Sequence, residues 1–164
     1  GAGAGSPVAP ALLVDDASGT LAHLSPGQSP FFEGNIVLAS GPATTDMTAV
    51  VELDNVLYIG TGDDSGILRY DIASAVWMTP WAGLSDNTVA LVTAPSSAGT
   101  TSIFAATETQ PKVFEMDQSG QVLTTFDGTS GCYPSTSEVV GLAVDQNNVA
   151  MSLDSGAFVH FLRT

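Results

Sequence analysis

Carboxylates recur at the tips of short turns in this sequence, and they are the first residues whose type and spacing could do chemistry. Asp15 and Asp16 precede Ala17-Ser18-Gly19, Asp63 and Asp64 precede Ser65-Gly66, Glu108 precedes Pro111, and Asp154 precedes Ser155-Gly156. If these turns emerge on one side of a repeating scaffold, Asp16, Asp63, Asp64, Glu108 and Asp154 form an oxygen-rich set of the kind that Ca2+ takes as ligands. The same residue types are what tight hairpins use to cap their own backbone and to reach positive φ. Turn building is the simpler account of each.

His23 and His160 each lie four residues beyond a hairpin glycine, level in that count with Tyr70 and with Glu115, four residues beyond Pro111. Facing a common channel, they would make a metal or acid/base cluster. Residues at equivalent places in successive repeats are a whole unit apart, so packing between neighbouring sheets is the expectation. No Gly-x-Ser-x-Gly elbow, His-Glu-x-x-His pair or phosphate-cradling glycine loop occurs. Cys132, the single cysteine, sits in the loop GTSGCYPSTSE without a base beside it, and so reads as an incidental thiol. These absences favour a non-catalytic module. The alternative is part of a hydrolase or lactonase-like enzyme that holds a divalent ion through the acidic turns or the histidines.

Aromatic residues divide into two groups. Tyr58, Phe104, Phe114, Phe126, Phe158 and Phe161 fall in apolar runs and fit a core, whereas Phe31, Phe32, Trp81 and Tyr133 fall among turn residues. Aromatics on connections above a rigid scaffold serve as binding anchors. Phe158 and His160 join that candidate set because they belong to the last apolar run, where a partner would meet an unfinished sheet.

Charge narrows the partners. The 164 residues carry 3 Lys and Arg against 17 Asp and Glu, a formal charge of −14, so nucleic acid and anionic lipid surfaces are repelled. Basic partners or multivalent cations are favoured. With 44% apolar and 12% charged residues the chain can bury a core. It has neither a run long enough to span a membrane nor a basic-then-apolar start. Richness in Ser, Thr, Gly and Ala with a single lysine points to an extracytoplasmic or organellar setting.

Residues 1–10, GAGAGSPVAP, read as a flexible arm. Beyond them short apolar runs alternate with Gly, Ser, Asp, Asn and Pro, the pattern of strands and turns. Similar runs begin at Leu12, Val56, Ile103 and Val149, at spacings of 44, 47 and 46 residues. A second series, MTAVVEL at Met47, NTVALVT at Asn87 and EVVGLAV at Glu138, lies just ahead of them. Such a period implies four-stranded units of 11–54, 55–100 and 101–146, with a partial unit at 147–164. In each unit the first run would be the innermost strand, because Gly60, Gly62, Ala105 and Ala106 suit a crowded axis.

These features resemble the β-propeller superfamily, in the neighbourhood of Kelch, NHL, quinoprotein-like and WD40 blades. RYDIASAVW is similar to a Kelch blade and VFEMDQSGQVLTTFDG to an NHL blade. The resemblance implies an all-β array of about three and a half four-stranded antiparallel blades, with a β-sandwich as the alternative. Propellers close with more blades than that. A protein partner, or a second copy, is therefore expected to complete the ring, with the chain acting as a scaffold within a larger assembly.

Overall fold

Runs rich in β-branched and aromatic residues become strands where turn residues bracket them, and the described residues are built this way. The computed structural model describes residues 11–15, 20–24, 32–37, 46–62, 66–81, 84, 86–96, 99–128 and 137–163, with backbone alone for 11–37. Strands are β1 (Ala11–Asp15), β2 (Thr20–Leu24), β3 (Phe32–Val37), β4 (Met47–Leu53), β5 (Val56–Thr61), β6 (Ile67–Asp71) and β7 (Val76–Trp81). They continue with β8 (Thr88–Pro95), β9 (Thr101–Thr107), β10 (Lys112–Met116), β11 (Val122–Asp127), β12 (Val139–Val144), β13 (Asn148–Leu153) and β14 (Phe158–Leu162). No α-helix occurs among the described residues, and no helix is long and apolar enough to cross a membrane.

The strands form four antiparallel meanders of sequential neighbours: β1-β2-β3, β4-β5-β6-β7, β8-β9-β10-β11 and β12-β13-β14. Each sheet packs on the next, β1 against β4, β4 against β8 and β8 against β12. The result is an open series of propeller-like blades and not a closed barrel. Three apolar clusters follow from this stacking. Tyr58, Ile67 and Trp81 of the second sheet meet Leu91, Ile103, Ala105 and Met116 of the third. Phe104, Val113 and Phe126 of the third meet Val149, Met151, Leu153 and Val159 of the fourth. The remaining cluster, centred on Leu57, Ile59, Leu68 and Tyr70, lies on the side of the second sheet that faces away from the third.

Sheet boundaries fall one strand earlier than the repeat division at 54/55, 100/101 and 146/147 placed them. MTAVVEL does not close one unit but opens the next. Asp54 and Asn55 both take positive φ, 54° and 64°, and Leu53 pairs directly with Val56, a two-residue hairpin of the primed kind. The innermost strands are accordingly β4, β8 and β12, while Val56–Thr61 and Ile103–Thr107 are second strands. Self-comparison detects a period but is blind to its phase. The fourth sheet therefore contains β12 as well as β13 and β14, three strands where the partial unit at 147–164 provided two.

All three inner strands carry the same irregularity near their starts. Register shifts between Met47 and Ala49, Thr88 and Ala90, and Val139 and Gly141 mark a bulge that bends and twists each strand. Next to it, the N–H groups of Gly62, Glu108 and Asp154 donate to the carbonyls of Asp46, Asn87 and Glu138, each at 3.0 Å. Gly60 has no room for a side chain, since a Cβ there would lie 2.8 Å from Thr88 Cγ2. Close approach of the neighbouring sheet thus explains Gly60, while Gly62 is crowded by the Asp46 side chain of its own sheet. Pro80 is tolerated in β7 because that strand is an outer edge.

Candidate functional site

The acidic turns lie where the inner strands begin, and each described carboxylate there has a local structural task. Glu108 Oε2 accepts from Asn87 Nδ2 at 2.6 Å. Asp154 Oδ1 accepts from the Glu138 N–H at 3.1 Å, fastening its hairpin to the start of β12. Asp86, which the sequence pattern did not single out, accepts the N–H groups of Thr109 and Gln110 at 3.0 and 3.2 Å. Among the described residues no three His, Cys, Asp or Glu side chains converge on a common point that could hold a metal. Asp16, Asp63 and Asp64 lie outside the described residues.

At the opposite ends of the inner strands, two exposed carboxyls sit below their ordinary 3.8. The Ser119 hydroxyl and the backbone N–H groups of Gln121 and Ser119 hold Asp117 down. The N–H of Asn147 and the side chain of Asn148 do the same for Asp145. Burial pushes the Tyr58 phenol up, partly offset by Arg69.

Register keeps His160 level with Glu115 and replaces Tyr70 by Arg69. Gly60, Ala106 and Ser152 pair with Ile67, Val113 and Phe158, so His160 stands level with Arg69 and Glu115. Tyr70 is level with Met116 and Phe161. Gly66 lies one residue before Ile67, whereas Pro111 and Gly156 lie two before Val113 and Phe158, so the count of four overshoots at Tyr70 alone. His160 Nε2 lies 2.8 Å from Asn148 Oδ1. Glu115 is buried, held by Arg163 Nη2 at 3.1 Å, and does not share a site with His160. Only the backbone of His23 is described.

Trp81 is not a loop anchor. It ends β7, is 8% exposed, stacks on Tyr58 at 4.8 Å and carries the Arg69 guanidinium 5.3 Å above its ring. Its Nε1–H finds no acceptor among the described residues. Phe32 belongs to β3, where only the backbone is described, and Phe31 and Tyr133 lie outside the described residues.

Among the described aromatic residues Phe158 is exposed, at 73%. Its equivalents Ile67 and Val113 are each 0% exposed, because each points forward, toward the following sheet. Burial along the second strands shows the same change. Five residues of β5 and six of β9 are buried in unbroken runs, whereas β13 alternates, with Val149, Met151 and Leu153 buried and Asn148, Ala150 and Ser152 half-buried. Sheets covered on both sides bury every residue; a sheet covered on one side buries every second one. Among the described residues no sheet therefore covers the forward face of the fourth sheet.

Val140 and Leu162 extend this face, at 65% and 70% exposure. Gly141, Leu142, Ala143, Ala150, Met151 and Ser152 line a hollow of about 180 Å3 beside Phe158. Its lining is largely apolar, small residues alternating with Leu142 and Met151. Burying one large apolar side chain there is worth about 2 kcal/mol. β14 also presents its outer edge without a bulge in its pairing to β13 and without Lys, Asp, Glu or Pro, so it lacks the usual protections of an edge strand.

Fold and surface together define an all-β protein of stacked propeller-like blades. Its structure is similar to the computationally designed Ika4 protein, at 19% identity and a TM-score of 0.61 over 98% of this chain and 94% of that one. It is also similar to part of PorZ, an essential bacterial surface component of the type-IX secretion system of Porphyromonas gingivalis. That match has 17% identity and a TM-score of 0.54, over 89% of this chain and 18% of PorZ. At such identities the likeness is one of fold. No protein-family model and no curated protein matches the chain.

Proposed function

We propose that this chain is a non-catalytic interaction scaffold whose working surface is the forward face of β12–β14 together with the edge of β14. One observation carries the reading: Phe158 is 73% exposed at a position where Ile67 and Val113 are wholly buried by the next sheet. The face is built like a joint between blades, and its natural ligand is another β-sheet or strand. Edge pairing would add backbone hydrogen bonds, and the hollow would take side chains at alternate positions.

Binding of an apolar fluorescent dye to the folded, dilute chain tests this. The natural chain is expected to bind the dye, and Val140→Asp with Leu162→Asp to abolish binding while leaving the thermal transition in place. A folded chain that binds no dye would contradict the proposal.

A further inference from the structure

We infer that the occupant of the forward face of β12–β14 is a β-strand that carries a large apolar side chain and, four residues away on the same side, a lysine or arginine. The inference rests on the docking reading above and adds the chemistry of the partner.

Pairing sorts this face into three rows. Gly141, Ser152 and Phe158 form the first, and Ala143, Ala150 and His160 the second. Leu162 and Asn148 pair in the third, which Asp145 joins by donating its N–H to the Asn148 carbonyl at 3.0 Å. The hollow lies over the first two rows, and the third brings charge. Asn148 Nδ2 donates to both oxygens of the exposed Asp145 carboxylate, at 3.0 and 3.1 Å. Its Oδ1 is thereby turned toward His160 Nε2, at 2.8 Å, so that nitrogen holds the proton and His160 Nδ1 keeps a lone pair. This end of the face offers a carboxylate and a second acceptor to whatever covers it. A charged group that only donates, an ammonium or a guanidinium, is the complement.

The cations of the chain itself are committed elsewhere. It has 3 Lys and Arg against a formal charge of −14. Arg69 donates to the Thr79 carbonyl at 3.0 Å, and Lys112 pairs with Asp127 at 3.6 Å. Arg163 is set against the buried Glu115 and bonds Asp145 at its main-chain carbonyl. The positive charge that answers the Asp145 carboxylate therefore comes from the partner, and the acidic chain as a whole attracts it.

Spacing follows from the rows. Gly141 and Asp145 are four residues apart, about 13 Å along a strand. A covering strand that runs nearly in line has the same rise and returns its side chains to one side at every second residue. An apolar residue seated in the hollow then places the side chain four residues on over Asp145.

The probes are disulfide-closed β-hairpin peptides. One carries leucine and lysine four residues apart on one side; a second has glutamate in place of that lysine; a third exchanges the lysine with its neighbour, so that it lies on the other side. Each is titrated into the 15N-labelled 164-residue chain while amide shifts in β12–β14 are followed. The first hairpin is expected to bind about tenfold tighter than either of the others at low salt, with the advantage over glutamate fading as salt rises. Asp145→Asn should erase the preference in a chain that still folds. Equal affinity for lysine and glutamate would overturn the basic occupant, and equal affinity for the two lysine hairpins would overturn the spacing. Dye binding separates the two readings: a folded chain that binds dye without preferring the first hairpin keeps the docking surface and loses this inference, and one that binds no dye loses both.

Discussion

Arg163 closes the joint between the third and fourth sheets by donating from Nη2 to Glu115 Oε1 at 3.1 Å. The same guanidinium lies 4.7 Å from the centre of the Phe104 ring and donates from Nη1 to the Asp145 carbonyl at 2.6 Å. Both side chains of the pair are less than a tenth exposed. Removing one partner strands the other charge in the joint, a loss of about 3 kcal/mol or more. Arg163→Ala should therefore lower the urea midpoint sharply. Glu115→Leu with Arg163→Leu should recover much of that loss, because no unpaired charge remains.

Two glycines with similar backbones separate strain from space. Gly120 and Gly156 take φ of +89° and +79°. A Cβ on Gly120 would come 2.6 Å from Trp81 Cδ1, whereas one on Gly156 meets nothing within 4 Å. Gly156→Ala should cost about 1 kcal/mol from the left-handed backbone alone. Gly120→Ala should cost a further 1–3 kcal/mol or so, because the tryptophan has to shift. Chemical denaturation of the two variants side by side measures the difference.

Acid should weaken the chain through Asp117 and Asp145. Both carboxyls are held below their ordinary 3.8 in the fold, so each favours folding while ionised. That contribution is complete above the unfolded value and is lost as pH falls through the lower folded value. Stability measured by denaturant at successive pH values should decline below about pH 4. Asp117→Asn and Asp145→Asn should each flatten that decline and start from a lower stability at neutral pH.

Strands, their meander order and the repeat were legible because their signals are local: alternating apolar runs, and turns of Asp, Asn, Ser and Gly. The phase of the repeat was not, since it depends on which of two similar turns is a hairpin. Asp54-Asn55 carried that information, as a two-residue loop between apolar runs. Exposure of Phe158 was hidden for a different reason. FVHFL reads as a strand whether or not a sheet covers it, and only the position of its neighbours in space decides. Glu115 and Arg163 are 48 residues apart, so their pairing has no local signal. Trp81 was misplaced because Pro80 suggests a loop, while an outer edge strand accommodates it.

The most direct measurement compares Val113→Asp with Phe158→Asp by thermal denaturation in dilute solution. Both substitutions put a carboxylate at the same place in successive sheets. The account predicts that Val113→Asp unfolds the chain, because Arg163 in the joint between the third and fourth sheets is already held by Glu115 and a second buried carboxylate goes uncompensated. It predicts that Phe158→Asp keeps its transition within about 0.5 kcal/mol of the natural chain and loses dye binding. If Phe158→Asp unfolded as Val113→Asp does, the chain itself would be covering that face, and the docking surface would not exist.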